Sequence, residues 1–284
     1  MGEPHAIEWM PMGKRSFSSF MLLCLLSCVG CARTVPQQAH AAPEPPVGPT
    51  VRVLTYNVNW GGARPDLAVA AIREADADVV CLQETTPEWE TYLRAELAGG
   101  YPHVMFRHGG GAGGLAFLSR YRFDDVEYIE TPGWFPGWLV RAETSVGPVQ
   151  VLAVHLRPPL GENGGVSVSG YLRSRDVRVR EVQTLHARLN ASTPAVILGD
   201  FNEDESGEAF QWLIDQGFIN ALASAGGQAH TWEWRTSLVT LRNRFDHILL
   251  SPHLRSDAAR VMRAGASDHF PVVAVISTRS HRSQ

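Results

Sequence analysis

The most constraining feature of this sequence is a polar pair placed directly before an apolar run near the C-terminus. Asp268 and His269 stand side by side, and after Phe270 and Pro271 the chain continues with the run VVAV. Such a run predicts a buried strand, in which an unpartnered carboxylate or imidazole is costly. Similar polar motifs follow other apolar runs: Asn57 with Asn59, Gln83 with Glu84, His155, and Asp200 with Asn202. The fold must therefore bring polar groups to the ends of several strands.

The apolar pattern predicts more strands than helices. Strands are expected at 51–56, 78–83, 115–119, 123–131, 138–144, 149–156, 195–199, 245–251 and 270–276. Helices are expected at 65–75, 87–97, 171–189 and 208–216, with Thr86 capping the second. Because long helices separate groups of strands, we predict an α+β sandwich with two sheets inside and helices outside.

Length and charge set broad limits. A chain of 284 residues with 44% apolar content is long enough for one large domain. The formal net charge of -4 argues against coating of nucleic acid by bulk charge, although it leaves room for a local basic groove.

The N-terminus has the composition of an export signal. Lys14 and Arg15 precede a short apolar stretch at 17–29, which is too short to span a membrane comfortably. Cys28 follows Ser27 and Cys31 follows Gly30, so either cysteine could be the lipidated residue of a bacterial lipoprotein. The alternative is a plain signal peptide with incidental cysteines. We expect an exported protein that is periplasmic, membrane-anchored or secreted.

These features divide the chain into four parts. Residues 1–31 are predicted to be the signal peptide, and 32–49, rich in Ala and Pro, a flexible tether. Residues 50–278 are predicted to be the folded domain that carries the polar motifs, and 279–284 a polar tail. Cys81 is the only cysteine in the predicted domain, so no internal disulfide is expected there, and Cys81 is interpreted as a buried hydrophobe.

The polar motifs share one placement: each lies at or beside the end of an apolar run. If these runs are central strands, their ends gather at one rim of the sandwich, where carboxylates, amides and imidazoles would form a metal-assisted hydrolytic site. Carboxylate and amide oxygens without thiolate suit Mg²⁺, Mn²⁺ or Ca²⁺. Each motif alone has a structural alternative, such as a core histidine for His155, an Asx turn for Gly199–Asn202 and a surface salt-bridge cluster for Arg244–His247.

Taken in order, the motifs resemble those of the endonuclease/exonuclease/phosphatase superfamily. They are TYNVNW (55–60), LQET (82–85), VHL (154–156), GDFN (199–202), RFDHILLS (244–251) and SDHFPV (267–272). This superfamily includes deoxyribonuclease-I-like nucleases, repair nucleases, inositol polyphosphate 5-phosphatases, bacterial sphingomyelinases and deadenylases. The resemblance implies a four-layered α/β/β/α sandwich with two mainly antiparallel sheets and Mg²⁺-dependent hydrolysis of phosphoesters.

The resemblance also implies a metal-binding group. Glu84 would be the main metal ligand, and Asn57 would help to orient the metal or the phosphate. Asn59 occupies a position where some relatives place a metal-binding Asp, and Asp268 would lie near the metal.

A second group implied by the resemblance would act on the phosphate. Asp200 would orient or deprotonate the attacking water, and Asn202 would contact the scissile phosphate. His155 would donate to a phosphate oxygen. His269 would face the phosphorus, polarised by Asp246, which would keep its imidazole protonated to higher pH.

Three further positions bear on the resemblance. Arg141 matches a position where several relatives place a phosphate-contacting Arg. The segment 113–119 lacks the Glu that deoxyribonuclease-I-like members pair with their equivalent of His155. The acidic run 203–205 would repel an additional phosphate, which ranks an inositol phosphatase lower.

The sequence favours a nuclease acting on DNA or RNA, expected to be a monomer. A phospholipid or sphingomyelin phosphodiesterase, or a phosphatase of the same superfamily, is the first alternative. A non-catalytic binding module on this fold is the second. Tryptophans near the predicted rim, such as Trp134, Trp232 and Trp234, could stack on bases, dip into a bilayer or serve in packing.

Overall fold

The computed structural model describes residues 48–62, 64–161, 168–224, 226–227 and 229–279. The predicted signal peptide, with Cys28 and Cys31, lies outside the described residues, as do most of the tether and of the polar tail.

Strands dominate the described residues. The strands are β1 (Val51–Asn57), β2 (Val79–Gln83), β3 (His103–Arg107), β4 (Leu115–Ser119), β5 (Phe123–Ile129), β6 (Gly137–Thr144), β7 (Gly147–His155), β8 (Ala195–Asp200), β9 (Ile219–Asn220), β10 (Trp232–Arg235), β11 (Thr240–Asn243), β12 (Asp246–Leu250), β13 (Leu254–Val261) and β14 (Val272–Thr278). The helices are α1 (Pro65–Ala75), α2 (Pro87–Leu97), α3 (Val168–His186), α4 (Glu208–Asp215) and α5 (Ala221–Ser224).

The strands form two six-stranded sheets and one two-stranded ribbon. The first sheet has the order β13-β14-β1-β2-β4-β3 and the second β5-β6-β7-β8-β12-β9, while β10 and β11 make the ribbon. Each large sheet contains one parallel pair, β1 with β2 and β7 with β8, and its other pairs are antiparallel. The predicted pair of mainly antiparallel sheets is therefore confirmed.

Apolar side chains separate the molecule into four layers. One buried cluster lies between the sheets, where Phe117 and Trp138 meet edge to face with ring centroids 5.0 Å apart. An aromatic pair of this kind adds about 0.5–1.5 kcal/mol to the stabilisation from its buried area. A second cluster lies between the first sheet and α1 and α2, and a third between the second sheet and α3 and α4. The predicted α/β/β/α sandwich is confirmed.

Local signals explain the helix starts. Thr86 caps α2, because its hydroxyl accepts a hydrogen bond from the Trp89 N–H at 3.3 Å, and proline occupies the first turn of both α1 and α2. None of the helices among the described residues is long and apolar enough to cross a bilayer.

Candidate active site

Strand pairing places the predicted site residues at the adjacent rims of the two sheets. In the first sheet the parallel pair aligns Asn57 with Gln83, so Glu84 follows at the same edge. In the second sheet the parallel pair aligns His155 with Asp200. Asp246, at the start of β12, lies opposite Asp200 on the other side of β8. Polar residues from separate parts of the sequence therefore meet at the strand ends, as the sequence predicted.

Gly199 allows β8 to approach β7 closely just before this edge. Its φ of +150° is unfavourable for other residues, and a Cβ atom there would lie 1.9 Å from the Val154 carbonyl oxygen. The glycine of the GDFN motif is therefore required for close backbone packing that sets Asp200 beside His155.

A buried chain of polar groups runs through Asp246, His269 and Asp200. The His269 Nδ1 lies 2.9 Å from Asp246 Oδ2 and 3.1 Å from Asp246 Oδ1. The other ring nitrogen, Nε2, lies 3.6 Å from Asp200 Oδ2. Both aspartates are 1% exposed. The imidazole is thus fixed by one carboxylate and faces a second one.

The electrostatics favour a protonated His269. Burial lowers the pKa of its imidazole, but the carboxylates of Asp246, Asp200 and Asp268 outweigh burial and raise that pKa to about 10. Burial also raises the pKa of Asp200, against the attraction of His269. At neutral pH His269 is therefore an imidazolium, held by Asp246 and facing Asp200.

Asn57 links Glu84 to Asp200. Its Nδ2 group donates to Glu84 Oε1 at 2.9 Å and to Asp200 Oδ2 at 3.1 Å. The second Glu84 oxygen accepts from the Trp60 backbone N–H at 3.1 Å. These donors are neutral, and burial raises the pKa of Glu84. A divalent cation would supply the charge that neutral donors do not, so this oxygen-rich edge fits a hard metal ion.

Asp268 is held by an amide and an indole. Its Oδ1 accepts from Asn59 Nδ2 at 3.1 Å, and its Oδ2 accepts from Trp232 Nε1 at 2.9 Å. Asn59 is itself tied to the first group, because its backbone N–H donates to Asn57 Oδ1 at 3.0 Å. Asn57, Asn59 and Asp268, which the resemblance assigns to the metal, therefore form one connected network.

Backbone conformations that are rare for residues with side chains also concentrate here. Asn59, Glu84 and Asn202 have φ values of 61°, 63° and 52°, and the one other such non-glycine residue among those described is Asp76, which ends α1. Left-handed residues that persist at a cluster of polar groups indicate that the surrounding contacts hold them there, as functional sites often do.

His155 lies in the cluster but is arranged differently from the prediction. Its Nδ1 lies 3.2 Å from the Ala112 carbonyl oxygen, which only a ring N–H can satisfy, and burial lowers the pKa of the ring to about 4. The neutral ring therefore carries a lone pair at Nε2, 3.6 Å from Asp200 Oδ2 and 3.9 Å from Glu84 Oε1. This geometry does not support the predicted role of His155 as a hydrogen-bond donor to phosphate. The segment 113–119 has no carboxylate that could pair with His155, and the Ala112 carbonyl is the partner of its Nδ1 instead.

Asn202 joins the strand ends of β7 and β8. Its backbone N–H donates to Asp200 Oδ1 at 2.8 Å, and its Nδ2 donates to the Leu156 carbonyl at 3.0 Å. The first of these bonds is the Asx turn that the sequence left open as an alternative. Asn202 therefore fixes Asp200, and its half-buried side chain lies beside the cluster.

The compact group most suited by distance alone to a metal is Asp200, Asp246 and His269. Among the described residues, these offer ligand atoms that all lie within 4.8 Å of one another. A protonated imidazole cannot bind a metal, however, and Nδ1 is committed to Asp246. Glu84 and Asp268 remain better suited to the metal because they accept hydrogen bonds from neutral amide, backbone and indole donors, so a hard cation would balance their charge.

Arg141 is not brought to this cluster, contrary to the prediction. Its guanidinium pairs with Asp124 at 3.0 Å and is about half exposed. Its ladder partner, Gln150, precedes His155 by five residues along β7, which is a separation of roughly 16 Å. The strand β6 was predicted correctly, but its register places Arg141 beside the middle of β7, away from the rim that carries His155.

Two of the three carboxylates that follow Asn202 are paired with arginines. Glu203 is buried and its Oε2 accepts from Arg178 Nε at 2.8 Å. Glu205 pairs with Arg244 at 2.8 Å. Asp204, the third carboxylate, accepts from the backbone N–H and the hydroxyl of Ser206, which are neutral. The repulsion that ranked an inositol phosphatase lower is therefore reduced but not removed.

The structure adds residues that the motifs did not single out. Trp232 holds Asp268, and the Thr231 hydroxyl accepts from the backbone N–H groups of Phe245 and Asp246, both at 2.9 Å. Phe135 stacks on His155 with ring centroids 4.2 Å apart. The TW pair at the start of β10 was visible as a sequence pattern, but nothing in the sequence showed which carboxylate it would contact.

Comparison with known proteins agrees with this geometry. The sequence matches the model of the Endonuclease/Exonuclease/phosphatase family over residues 54–269. The chain belongs to this family. Its members are divalent-metal-dependent hydrolases of phosphoester bonds. A comparison with curated proteins finds no match.

Solved structures share the fold. An endonuclease/exonuclease/phosphatase from Beutenbergia cavernae is 20% identical, with a TM-score of 0.63 over 81% of this chain and 72% of that one. A TDP2 of D. rerio, complexed with a single-strand DNA product, is 20% identical, with a TM-score of 0.63 over 81% and 99%. An AP endonuclease from Archaeoglobus fulgidus is 21% identical, with a TM-score of 0.62 over 79% and 98%. At these identities the likeness concerns the fold alone.

Proposed function

We propose that the protein is a magnesium-dependent phosphodiesterase that cleaves nucleic acid. The observation that carries the proposal is the buried arrangement in which Asp246 fixes His269 and His269 faces Asp200 across 3.6 Å. Hydrolysis of a phosphodiester needs an activated water and positive groups that stabilise charge on the phosphate oxygens. The arrangement offers a base and a cation side by side.

Each side chain has a role in this proposal. Asp200 orients the attacking water and accepts its proton, and the His269 imidazolium stabilises the charge that develops on phosphate. Asp246 keeps His269 protonated and oriented. Asn202 fixes Asp200 and contacts the scissile phosphate.

Glu84 and Asp268 would hold the metal ion, with Asn57 and Asn59 orienting their carboxylates. When bound, the ion would polarise a phosphate oxygen and offset its negative charge. The neutral ring of His155 adds the lone pair of its Nε2 beside the Glu84 carboxylate.

Nucleic acid is favoured as the substrate by two observations. The similar structures include a DNA-bound TDP2 and an AP endonuclease. Trp60 is 47% exposed beside Glu84, and Trp134 lies under the Arg157 guanidinium at 3.7 Å from the ring centroid. Aromatic rings near a phosphate site can stack on bases of a single strand.

A lipid phosphodiester is the second candidate, and the ribbon of β10 and β11 favours it. Trp234, Leu238 and Val239 are exposed by 44%, 82% and 39%. Apolar side chains at the end of a ribbon can enter the interface of a bilayer.

One experiment separates the candidates. Purified protein is incubated with single-stranded DNA, double-stranded DNA, RNA and sphingomyelin vesicles, each with Mg²⁺ and with EDTA. We expect hydrolysis of nucleic acid that requires Mg²⁺ and is lost in Asp200→Asn. Cleavage confined to sphingomyelin would support the lipid alternative. Binding of nucleic acid with no hydrolysis of any substrate would support a non-catalytic module.

The pH dependence of hydrolysis should show that His269 acts as a cation. Because its pKa is raised to about 10, activity should be level through neutral pH and fall as the pH rises through about 10. The same protonated pair stabilises the fold fully below about pH 6.5, the ordinary pKa of histidine, and less as the pH approaches 10. Asp246→Asn removes the carboxylate that raises the pKa of His269 most, so in this variant the fall in activity should move toward neutral pH. A profile that is identical in both proteins would contradict the assignment.

We also propose export, with lipidation of Cys28 or Cys31 as the means of anchoring. This rests on the composition of the N-terminal residues alone, because they lie outside the described residues.

A further inference from the structure

Glu181 is a fully buried carboxyl group that the proposed reaction does not use. It lies on α3 and is 0% exposed. A Cβ atom on Gly133 would lie 1.7 Å from Glu181 Oε1, so the loop between β5 and β6 runs directly over this carboxyl group. A buried carboxyl group is costly unless hydrogen bonds compensate for the water that it has lost.

Glu181 joins two segments that border the site. Its Oε2 accepts from the Arg157 backbone N–H at 2.9 Å, two residues after His155. Its Oε1 lies 3.2 Å from the Thr131 hydroxyl, which itself lies 2.8 Å from the Phe135 carbonyl oxygen. One side chain thus connects the end of β7 to the loop that carries Phe135.

Phe135 is the contact between this loop and the site. Its ring stacks on the His155 imidazole at 4.2 Å with an interplanar angle of 19°. Gly113 lies on the same aromatic ring, since a Cβ atom there would be 3.5 Å from Phe135 Cδ1. The plane of His155 is therefore set by Phe135 and by the hydrogen bond to Ala112.

We propose that Glu181 is a positioning residue: it holds the 131–135 loop so that Phe135 keeps the His155 ring facing Asp200 and Glu84. The consequence for catalysis rests on the proposed function, whereas the orientation of His155 does not. The hydrogen bonds of Glu181 go to Thr131 and to the Arg157 backbone, and its influence on His155 passes through Thr131 and Phe135.

Counting protons shows how the connection is completed. Thr131 has one hydroxyl proton but two neighbouring acceptors, the Phe135 carbonyl and Glu181 Oε1. If Glu181 is neutral, its own proton goes to the Thr131 oxygen and the Thr131 proton goes to Phe135. Burial raises the pKa of Glu181 to about 7, despite the opposing charges of Arg178 and Arg157. Arg178 is itself paired with Glu203 at 2.8 Å.

This arrangement predicts that Glu181→Gln keeps the positioning role and that Glu181→Leu loses it. A glutamine oxygen can accept from the Arg157 N–H while its NH₂ group donates to Thr131. Glu181→Leu removes both connections, and Thr131→Val removes the connection to Phe135 while leaving Glu181 in place. Glu143→Leu, at a side chain that is 54% exposed on β6, is the matched control.

The decisive measurement is NMR of histidine ring protons in the full-length protein. Stacking at 4.2 Å gives the His155 protons an upfield ring-current shift, and Phe135→Leu defines the spectrum without it. We expect the shift to persist in Glu181→Gln and Glu143→Leu and to be lost in Thr131→Val and Glu181→Leu. With Mg²⁺ and bis(p-nitrophenyl) phosphate, the last two variants should lose about 10-fold in kcat, whereas Glu181→Gln stays within about two-fold of wild type.

The outcomes are distinct. If the shift persists in Thr131→Val, or if Glu181→Gln loses it as Glu181→Leu does, the positioning role is overturned. If Glu181→Leu does not fold, Thr131→Val and Glu181→Gln still decide the question. If no variant, including wild type, hydrolyses the phosphodiester, the proposed function fails while the ring-current shift continues to test the positioning role.

Discussion

Replacing Asp200 by asparagine should reduce kcat for phosphodiester hydrolysis by about 10²- to 10⁴-fold, the range for loss of a general base. Asp200 is the group at which both rims of the site converge. It accepts from Asn57 Nδ2 and from the Asn202 N–H, and it faces His269 Nε2. Asparagine keeps the size of the side chain but cannot take a proton from water.

The same substitution should not lower the free energy of unfolding. Burial raises the pKa of Asp200, which means that folding disfavours its charged form, and the nearby Asp246 carboxylate adds to this cost. Asparagine removes the cost of the buried charge, which stabilises the fold. Its NH₂ group, however, would face either Asn57 Nδ2 or the Asn202 N–H, which destabilises the fold, and the two effects offset each other. Loss of activity with retained stability is the pattern expected at a functional residue.

The measurements are steady-state kinetics with Mg²⁺ and chemical denaturation. Asp215→Asn, at an exposed position on α4, is the matched control and should change neither quantity. If Asp200→Asn keeps more than a tenth of wild-type activity, the water is activated by another group. If activity and stability fall together, Asp200 is a structural residue.

The central part of the fold follows from the apolar pattern. Strands such as β8 and β12 are buried along their whole length, and their continuous apolar runs predicted them to within one or two residues. The same rule brought Asn57, His155 and Asp200 to one rim, because the strands that end in them run parallel in pairs. Three of the four edge strands, β3, β9 and β13, were missed for the converse reason, whereas the edge strand β5 was predicted. In β13 exposed and half-buried residues outnumber buried ones, so the pattern carries little signal.

Contacts made by loops could not be predicted in this way. Trp232 and Asp268 are 36 residues apart, and only the folded chain shows that the indole N–H meets the carboxylate. Arg141 shows the opposite limit. Its strand was predicted, but a side chain's position along the strand depends on register, and register placed it beside Asp124. The sequence also cannot show which nitrogen of a histidine carries the proton. For His155 the contact between Nδ1 and the Ala112 carbonyl shows that the lone pair is on Nε2.

Replacing Glu84 by glutamine should reduce kcat/KM by about 10³-fold and weaken metal binding by at least about 100-fold. Glu84 is the first residue after β2, and its left-handed backbone, with φ of 63°, turns its carboxylate toward Asn57. Burial raises its pKa, and its hydrogen-bond donors are neutral, so its charge is best balanced by a cation. Glutamine keeps the size of the group but loses the charge that a hard dication prefers.

Two measurements separate a metal ligand from a structural carboxylate. Mn²⁺ binding, followed by electron paramagnetic resonance, should weaken in Glu84→Gln, and high Mg²⁺ should restore part of the activity. Glu88→Gln, four residues further on and exposed in α2, is the matched control and should behave as wild type. Asp200→Asn should lose activity that high Mg²⁺ does not restore, because its defect lies in proton transfer. If Glu84→Gln binds Mn²⁺ as tightly as wild type, the metal lies elsewhere, and the Asn57–Glu84 contact serves only to hold β1 and β2 together.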